Sequence, residues 1–169
     1  MQLLLIRHAI AEDRDEFAKE EGRPDAERPL TDYGRRRMQK NAKGLRRVAP
    51  KLDQLVTSPY VRAADTAKIV AKILGVDEAV ELAVLTPEHH PREFFEWMAD
   101  QNPSHAIGAV GHDPHLSQLL SWCLTGGLDA QSVIRKGGAA LISWDDVPTE
   151  GHGILRWLIA PGHLRAMAD

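Results

Sequence analysis

Leu3-Leu4-Leu5-Ile6 is a short, unbroken apolar run near the head of the chain. Such a run marks a strand covered on both faces, and it ends in Arg7-His8. From Glu12 to Arg28 the chain is polar and charged, with Gly22 and Pro24 inside it. That stretch predicts a solvated loop with at most a short helix. Thr31 then reads as a helix N-cap with Asp32 in the first turn. Met38, Ala42, Leu45 and Ala49 recur at helical spacing until Pro50 stops the helix. Leu55-Val56-Thr57 predicts a second short strand. Ser58-Pro59 predicts a capping hydroxyl before a proline at the first helical position. Ala63, Ala67, Val70 and Leu74 form one face of the helix that follows, and Gly75 closes it.

Val80 to Leu85 reads as a further strand, ended by Thr86-Pro87. Pro91 to Asp100 reads as a helix, with Phe94, Phe95, Trp97 and Met98 as core or pocket wall. Ala106 to Val110 is another buried strand and runs into Gly111-His112. His115 to Leu124 is a helix ended by Gly126-Gly127. Ala139 to Trp144 and Ile154 to Ile159 predict two late strands forming a hairpin. No repeat, low-complexity segment or linker divides the chain, so residues 1–169 are expected to form a single domain. Strands alternate with helices through most of the length. That order predicts a three-layer α/β/α sandwich with a mainly parallel central sheet. In such sheets ligands bind beyond the carboxyl ends of the strands.

Composition narrows the functional classes. Of 169 residues 43% are hydrophobic, enough for a real core, and the formal net charge is -3. That charge gives no general attraction to nucleic acid or anionic lipid. No apolar run is long enough to span a membrane. The first residues lack the basic leader of a signal peptide. Cys123, the single cysteine, cannot form an internal disulfide and is expected to be a buried spectator. Together these features predict a cytoplasmic protein with no membrane or nucleic-acid partner.

The strand ends carry the candidate chemistry. One delivers Arg7-His8, the second leads to a helix bearing Arg62, and a later one ends at His112. Arginine presents a planar fork of donors that matches phosphate oxygens and stays charged at any working pH. Arg62 lies in a first helical turn, where free backbone N–H groups and the dipole also favour an anion. A histidine becomes a nucleophile when one ring nitrogen is unprotonated and the other is held by a partner. Taken singly, each of these segments is commonly structural or solvated. Their shared position at three strand ends is what points to phosphoryl transfer.

The same segments resemble motifs of the histidine phosphatase superfamily, which includes phosphoglycerate mutases and acid phosphatases. Leu4-Leu5-Ile6-Arg7-His8-Ala9 resembles the opening signature around the nucleophilic histidine. Arg28-Pro29-Leu30-Thr31-Asp32-Tyr33-Gly34 resembles the helix start found in its small SixA-type protein phosphohistidine phosphatases. Ser58-Pro59-Tyr60-Val61-Arg62-Ala63-Ala64-Asp65-Thr66-Ala67 resembles the block carrying the second arginine. Val110-Gly111-His112-Asp113-Pro114 resembles the segment with the second histidine. The resemblance covers nearly the whole chain. It implies a phosphoglycerate mutase-like fold, no cofactor and no metal. By it, His8 is the phosphate acceptor, and Arg7, Arg62 and His112 form the rest of the phosphate pocket. The implied partner is a phosphohistidine-bearing protein, such as a phosphorelay component.

Two departures from the pattern have consequences. Ala9 stands where the superfamily usually has glycine, and alanine tolerates positive φ poorly, so a slight change in loop shape is expected. No residue between Arg62 and His112 cleanly matches the proton donor of larger relatives; Glu88, His89 and His90 are the candidates. Without a donor, phosphohistidine is favoured as substrate, because protonated phosphoimidazole releases neutral imidazole and an alcohol ester needs an acid. Three other readings compete. One is a phosphatase for a small phosphorylated metabolite, and a second is a binding module that performs no chemistry. The third is a metal hydrolase using His112, Asp113, His115, His89 and His90, against which Pro114 and the paired arginines argue.

Overall fold

A computed structural model describes residues 1–129 and 132–168. Its centre is β1 (Gln2–Arg7), whose apolar run is divided between two cores. Leu4 and Ile6 face one, and Leu3 and Leu5 face the other, as the two-residue period of a strand requires. On one side β1 pairs in parallel with β4 (Ala106–Gly111), with Arg7 opposite Gly111. On the other it pairs antiparallel with β5 (Ala139–Ser143). With β2 (Gln54–Thr57), β3 (Val80–Glu81) and β6 (Ile154–Ile159), these form one six-stranded sheet in the order β3-β2-β4-β1-β5-β6. Four consecutive strands are parallel, and β5 and β6 form the hairpin read from the sequence.

Helices cover both faces, so the three-layer sandwich expected from the alternation is the observed architecture. Met38, Ala42 and Leu45 of α2 (Asp32–Val48), Ala63, Ala67 and Val70 of α3 (Val61–Leu74), and Leu164 of α6 (Pro161–Ala166) close one core. Phe94, Phe95 and Met98 of α4 (Pro91–Ala99), with Leu116, Leu119, Leu120 and Cys123 of α5 (His115–Thr125), close the other. Cys123 is buried, and burial pushes its thiol pKa well up, as befits a spectator.

Three segments differ from the sequence reading, while the polar stretch after Glu12 contains the short helix that the sequence allowed, α1 (Arg14–Glu21). Asp13 caps it by accepting from the N–H groups of Asp15 and Glu16, Gly22 ends it at φ 61°, and Phe17 pins it to the body. A 3-10 turn, Asp25–Glu27, follows. The strand expected over Val80 to Leu85 has only two residues, because β2 ends at Thr57, whose carbonyl takes the last sheet bond from Leu82 N–H at 2.8 Å. The chain instead coils through a second 3-10 turn, Ala83–Leu85, that buries Leu85. Ser58 does not cap α3. Its N–H donates to Val110 O at 2.9 Å, keeping Ser58 on the sheet, and the helix begins at Val61. The short helix α6 escaped the periodicity altogether, since six residues show too little of a repeat.

Helices α2 and α6 touch through backbone. A Cβ on Gly44 would lie 1.8 Å from Leu164 O, so only hydrogen fits there. Gly44→Ala must push α6 off α2. We expect a loss of about 1–3 kcal/mol, the usual cost of overpacking, read as a lower urea midpoint with an unchanged m-value.

Candidate active site

The parallel ladder continues one residue beyond β1 and β2. His8 N–H donates to Gly111 O at 2.9 Å, just as Ser58 N–H reaches Val110 O. These bonds place His8, Ser58 and His112 side by side at the carboxyl edge of the sheet. The rings of His8 and His112 are 5.1 Å apart between centroids. Arg7, His8, Arg62 and His112, the four residues named from the sequence, all line one cleft of about 290 Å³. Arg28 and Lys136 line it too.

His8 is held in a single tautomer. Its Nδ1 lies 2.7 Å from Ala9 O, and a carbonyl only accepts, so the proton sits on Nδ1 and the lone pair on Nε2. Burial, aided by the charges of Arg62, Arg7 and Lys136, lowers the imidazole pKa to about 3 against the opposing pull of that carbonyl. His8 is therefore neutral at physiological pH. The following loop is fixed by Ala9 N–H, which donates to Thr66 Oγ1 at 3.0 Å; that hydroxyl in turn donates to Arg62 O at 2.7 Å. Two site segments thus share one threonine. Alanine stands at position 9 without backbone strain. No non-glycine residue among those described has a positive φ, and the Ala9 methyl packs into the core.

His112 approaches Ser58 Oγ through Nε2 at 2.9 Å. Burial, followed by the neighbouring charges of His8 and Arg62, takes its pKa down to about 2. Arg62 is 4% exposed and donates from Nη1 to Asp25 O at 2.7 Å. Its Nη2 lies 3.0 Å from Asp25 Oδ2, and its guanidinium stacks 4.9 Å from the Tyr60 ring. Arg7 donates from Nη1 to Ile134 O at 2.9 Å and stands 3.8 Å from Asp113. Burial lowers the pKa of both arginines, while Asp25 and Asp113 oppose that shift. Arg7 Nε, Arg62 Nε and His112 Nδ1 are buried and have no protein partner among the described residues.

Sequence reasoning missed Asp25, Arg28, Lys136 and Ser58. Asp25 organises the cations, lying 2.8 Å from Arg28, 3.0 Å from Arg62 and 3.5 Å from Arg14. Burial raises the Asp25 pKa, but the three arginines outweigh it and keep the carboxylate ionised. Nothing in the polar stretch distinguishes Asp25 from its charged neighbours; Arg28 at least stands in a recognisable block.

The three candidate acids lie in different places. Glu88 lines the cleft and accepts from Tyr60 OH at 2.5 Å. That bond lowers the Glu88 pKa and, after burial, raises that of Tyr60 to about 12. Glu88 is accordingly a carboxylate at neutral pH. His89 pairs with Glu93 at 2.7 Å, and His90 caps α4 by accepting from Arg92 N–H; neither lines the cleft. The competing metal ligands do not converge on one point. Asp113 receives the Ser117 hydroxyl, and no group of three or more His, Cys, Asp or Glu among the described residues is arranged around a common point.

The sequence model of the histidine phosphatase superfamily (branch 1) matches residues 3–85. An uncharacterised protein of Picosynechococcus sp. is 33% identical over 141 residues, covering 82% of each chain. The chain belongs to the histidine phosphatase superfamily. Its fold is similar to that of the protein histidine phosphatase SixA solved with tungstate. The TM-score is 0.82 at 23% identity over 97% of this chain and 99% of that one. It is also similar to an alpha-ribazole phosphatase from Shigella flexneri, with a TM-score of 0.70 at 20% identity over 95% and 97% of the two chains. No helix among the described residues is long and apolar enough to cross a membrane.

The buried histidines make stability depend on pH. An exposed imidazole in the unfolded chain takes up a proton below about pH 6.5. His8 and His112 in the fold do not until about 3 and 2. Between these limits the unfolded state binds more protons, so stability rises with pH. The contribution is complete above pH 6.5 and is lost progressively as pH falls toward 3. We expect Tm to drop steadily from pH 6.5 to 4. His112→Gln should flatten that slope in part, since His8 and His115 remain; an unchanged slope in the variant would show that His112 is not a source.

Proposed function

We propose that this chain is a phosphatase that removes phosphoryl groups from histidine on a partner protein, through a transient phosphoryl group on His8. The observation that carries the reading is the 2.7 Å contact of His8 Nδ1 with Ala9 O, which leaves Nε2 as a lone-pair donor inside a cationic cleft. In the first step Nε2 attacks phosphorus as the P–N bond of the substrate breaks. The departing imidazole keeps the bonding pair and leaves neutral, because the phosphoimidazole is already protonated. In the second step water attacks the phosphorus on His8 as the P–Nε2 bond breaks; His8 keeps the bonding pair and is neutral again, and the water's proton is released with inorganic phosphate.

The arginines serve charge that spreads over the equatorial phosphoryl oxygens. The buried N–H donors of Arg7 and Arg62 gain most from an anion, since an unpaired donor inside a protein costs about 1–3 kcal/mol. A bound phosphoryl dianion also reverses the local field and favours a protonated His112, ready to donate.

Glu88 decides the substrate class. As a carboxylate bonded to Tyr60 it is a poor proton donor, so good leaving groups are favoured. Imidazolium has a pKa near ~6.5 and phenol about 10, while an alkoxide is roughly as basic as hydroxide, near ~15.7. Likeness of fold to a protein histidine phosphatase is compatible with this order. A second reading, a phosphatase of small metabolites, rests on Glu88 at the cleft and would require it to be protonated in the complex.

The experiment is a kcat/KM series with a phosphohistidine protein, an aryl phosphate and phosphoserine. We expect a steep fall in that order, with Glu88→Gln nearly silent on phosphohistidine. Equal rates on phosphoserine and phosphohistidine transfer the assignment to the metabolite reading. His8→Ala should abolish turnover with the fold intact, and the wild type should carry a transient label that is acid-labile and alkali-stable. Arg7→Ala and Arg62→Ala should each slow the rate about 10²-fold, for a loss of roughly 3 kcal/mol. A change in KM alone would make them binding residues only.

A further inference from the structure

A second cavity, of about 250 Å³, adjoins the phosphate cleft and shares Lys136 with it; Ala9, next to His8, is part of its wall. Arg37 of α2 and Arg165 of α6 also line it. The two sites differ in how their cations are matched. In the phosphate cleft Arg62 and Arg28 lean on Asp25, and Arg7 on Asp113. In the second cavity no described carboxylate lies within ion-pair distance of Arg37, Arg165 or Lys136.

Neutral groups hold these side chains instead. Arg37 donates to the Tyr33 hydroxyl and lies 5.0 Å from its ring. Arg165 donates from Nη1 to Asn41 Oδ1 at 3.0 Å, and Asn41 is itself anchored by donating to Gly137 O at 2.9 Å. Each guanidinium has five N–H donors and uses few of them here. The like charges register on one another: burial and then the charge of Arg37 lower the Arg165 pKa. Burial and then the charges of Arg7, Arg28 and Arg62 lower that of Lys136. Asp13 acts on Lys136 only from beyond ion-pair distance. Cations with no carboxylate in contact are unfavourable until an anion enters, and a carboxylate matches the guanidinium fork.

We propose that this cavity is a second anion subsite that receives an acidic side chain of the partner protein, close in sequence or space to its phosphorylated residue. Lys136, on the shared wall, joins the two anions, one phosphoryl and one carboxylate. The inference deepens the proposed function and rests on a protein substrate.

The test compares pairs of phosphohistidine peptides that differ only in glutamate or glutamine beside the phosphorylated residue. Wild-type enzyme should prefer the glutamate peptide in kcat/KM by about tenfold or more, the effect of a charge-assisted hydrogen bond. The preference should shrink as salt is raised. It should approach one in the double variant Arg37→Gln, Arg165→Gln. Charge reversal, Arg37→Glu, should turn the preference toward a lysine-flanked peptide. A wild-type ratio near one, or a ratio that the double variant leaves unchanged, overturns the subsite. The same flanks around phosphotyrosine keep the two ideas separate. If phosphohistidine is not hydrolysed the substrate assignment fails, and the phosphotyrosine pair still decides whether the cavity reads an acid.

Discussion

The pairing of β1 with β4 sets the geometry on which the candidate site depends. Arg7 lies opposite Gly111, and the next bond, from His8 N–H to Gly111 O, carries the parallel register just past the strands. His112 follows immediately on β4's side, which is why two imidazoles from residues a hundred positions apart come within 5.1 Å. A one-residue slip would turn every side chain of β1 to the opposite face. The division of Leu3 and Leu5 from Leu4 and Ile6 between two different cores forbids it. Core packing therefore fixes where His8 and His112 sit at the edge of the sheet.

Charge is the second constraint. Five cationic side chains around two buried histidines would repel one another in a low-dielectric cleft. Asp25 answers this by sharing one carboxylate among Arg14, Arg28 and Arg62. Its place on a 3-10 turn matters, since Arg62 is bonded both to the Asp25 carbonyl and to its carboxylate. A guanidinium held at two points cannot swing aside when an anion arrives. The neutral state of His8 is the other side of this balance: burial is its main cause, and the positive field of Arg62, Arg7 and Lys136 adds to it.

The fold was largely legible from periodicity. Apolar runs marked β1 and β4, spacing marked α2 and α3, and the strand ends marked Arg7, His8, Arg62 and His112. What periodicity measures is burial on one face, and it fails where burial is not the cause. Asp25 is held by charge, and charge leaves no repeat in a polar stretch. Ser58 looked like a helix cap because Ser-Pro is a cap pattern, but a backbone bond to Val110 keeps it on the sheet beside His112. Val80 to Leu85 looked like a strand by composition, yet an edge position with a four-residue neighbour supports only two ladder residues. His89 and Glu88 are adjacent in sequence, and only the three-dimensional path separates a cleft residue from a helix-side pair.

The central place of β1 also shapes how the chain is made. Leu3-Leu4-Leu5-Ile6 leaves the ribosome well before its partners, residues 106–111 and 139–143. At about 5–20 residues per second, the first of these follows on the order of 5–20 s later. Throughout that interval both edges of the strand lack their native partners, although α2 and α3 are already available to cover Leu4 and Ile6. A segment fully buried in the folded protein is thus left with open edges to holdase chaperones during translation, and a pause upstream of β4 would lengthen that exposure.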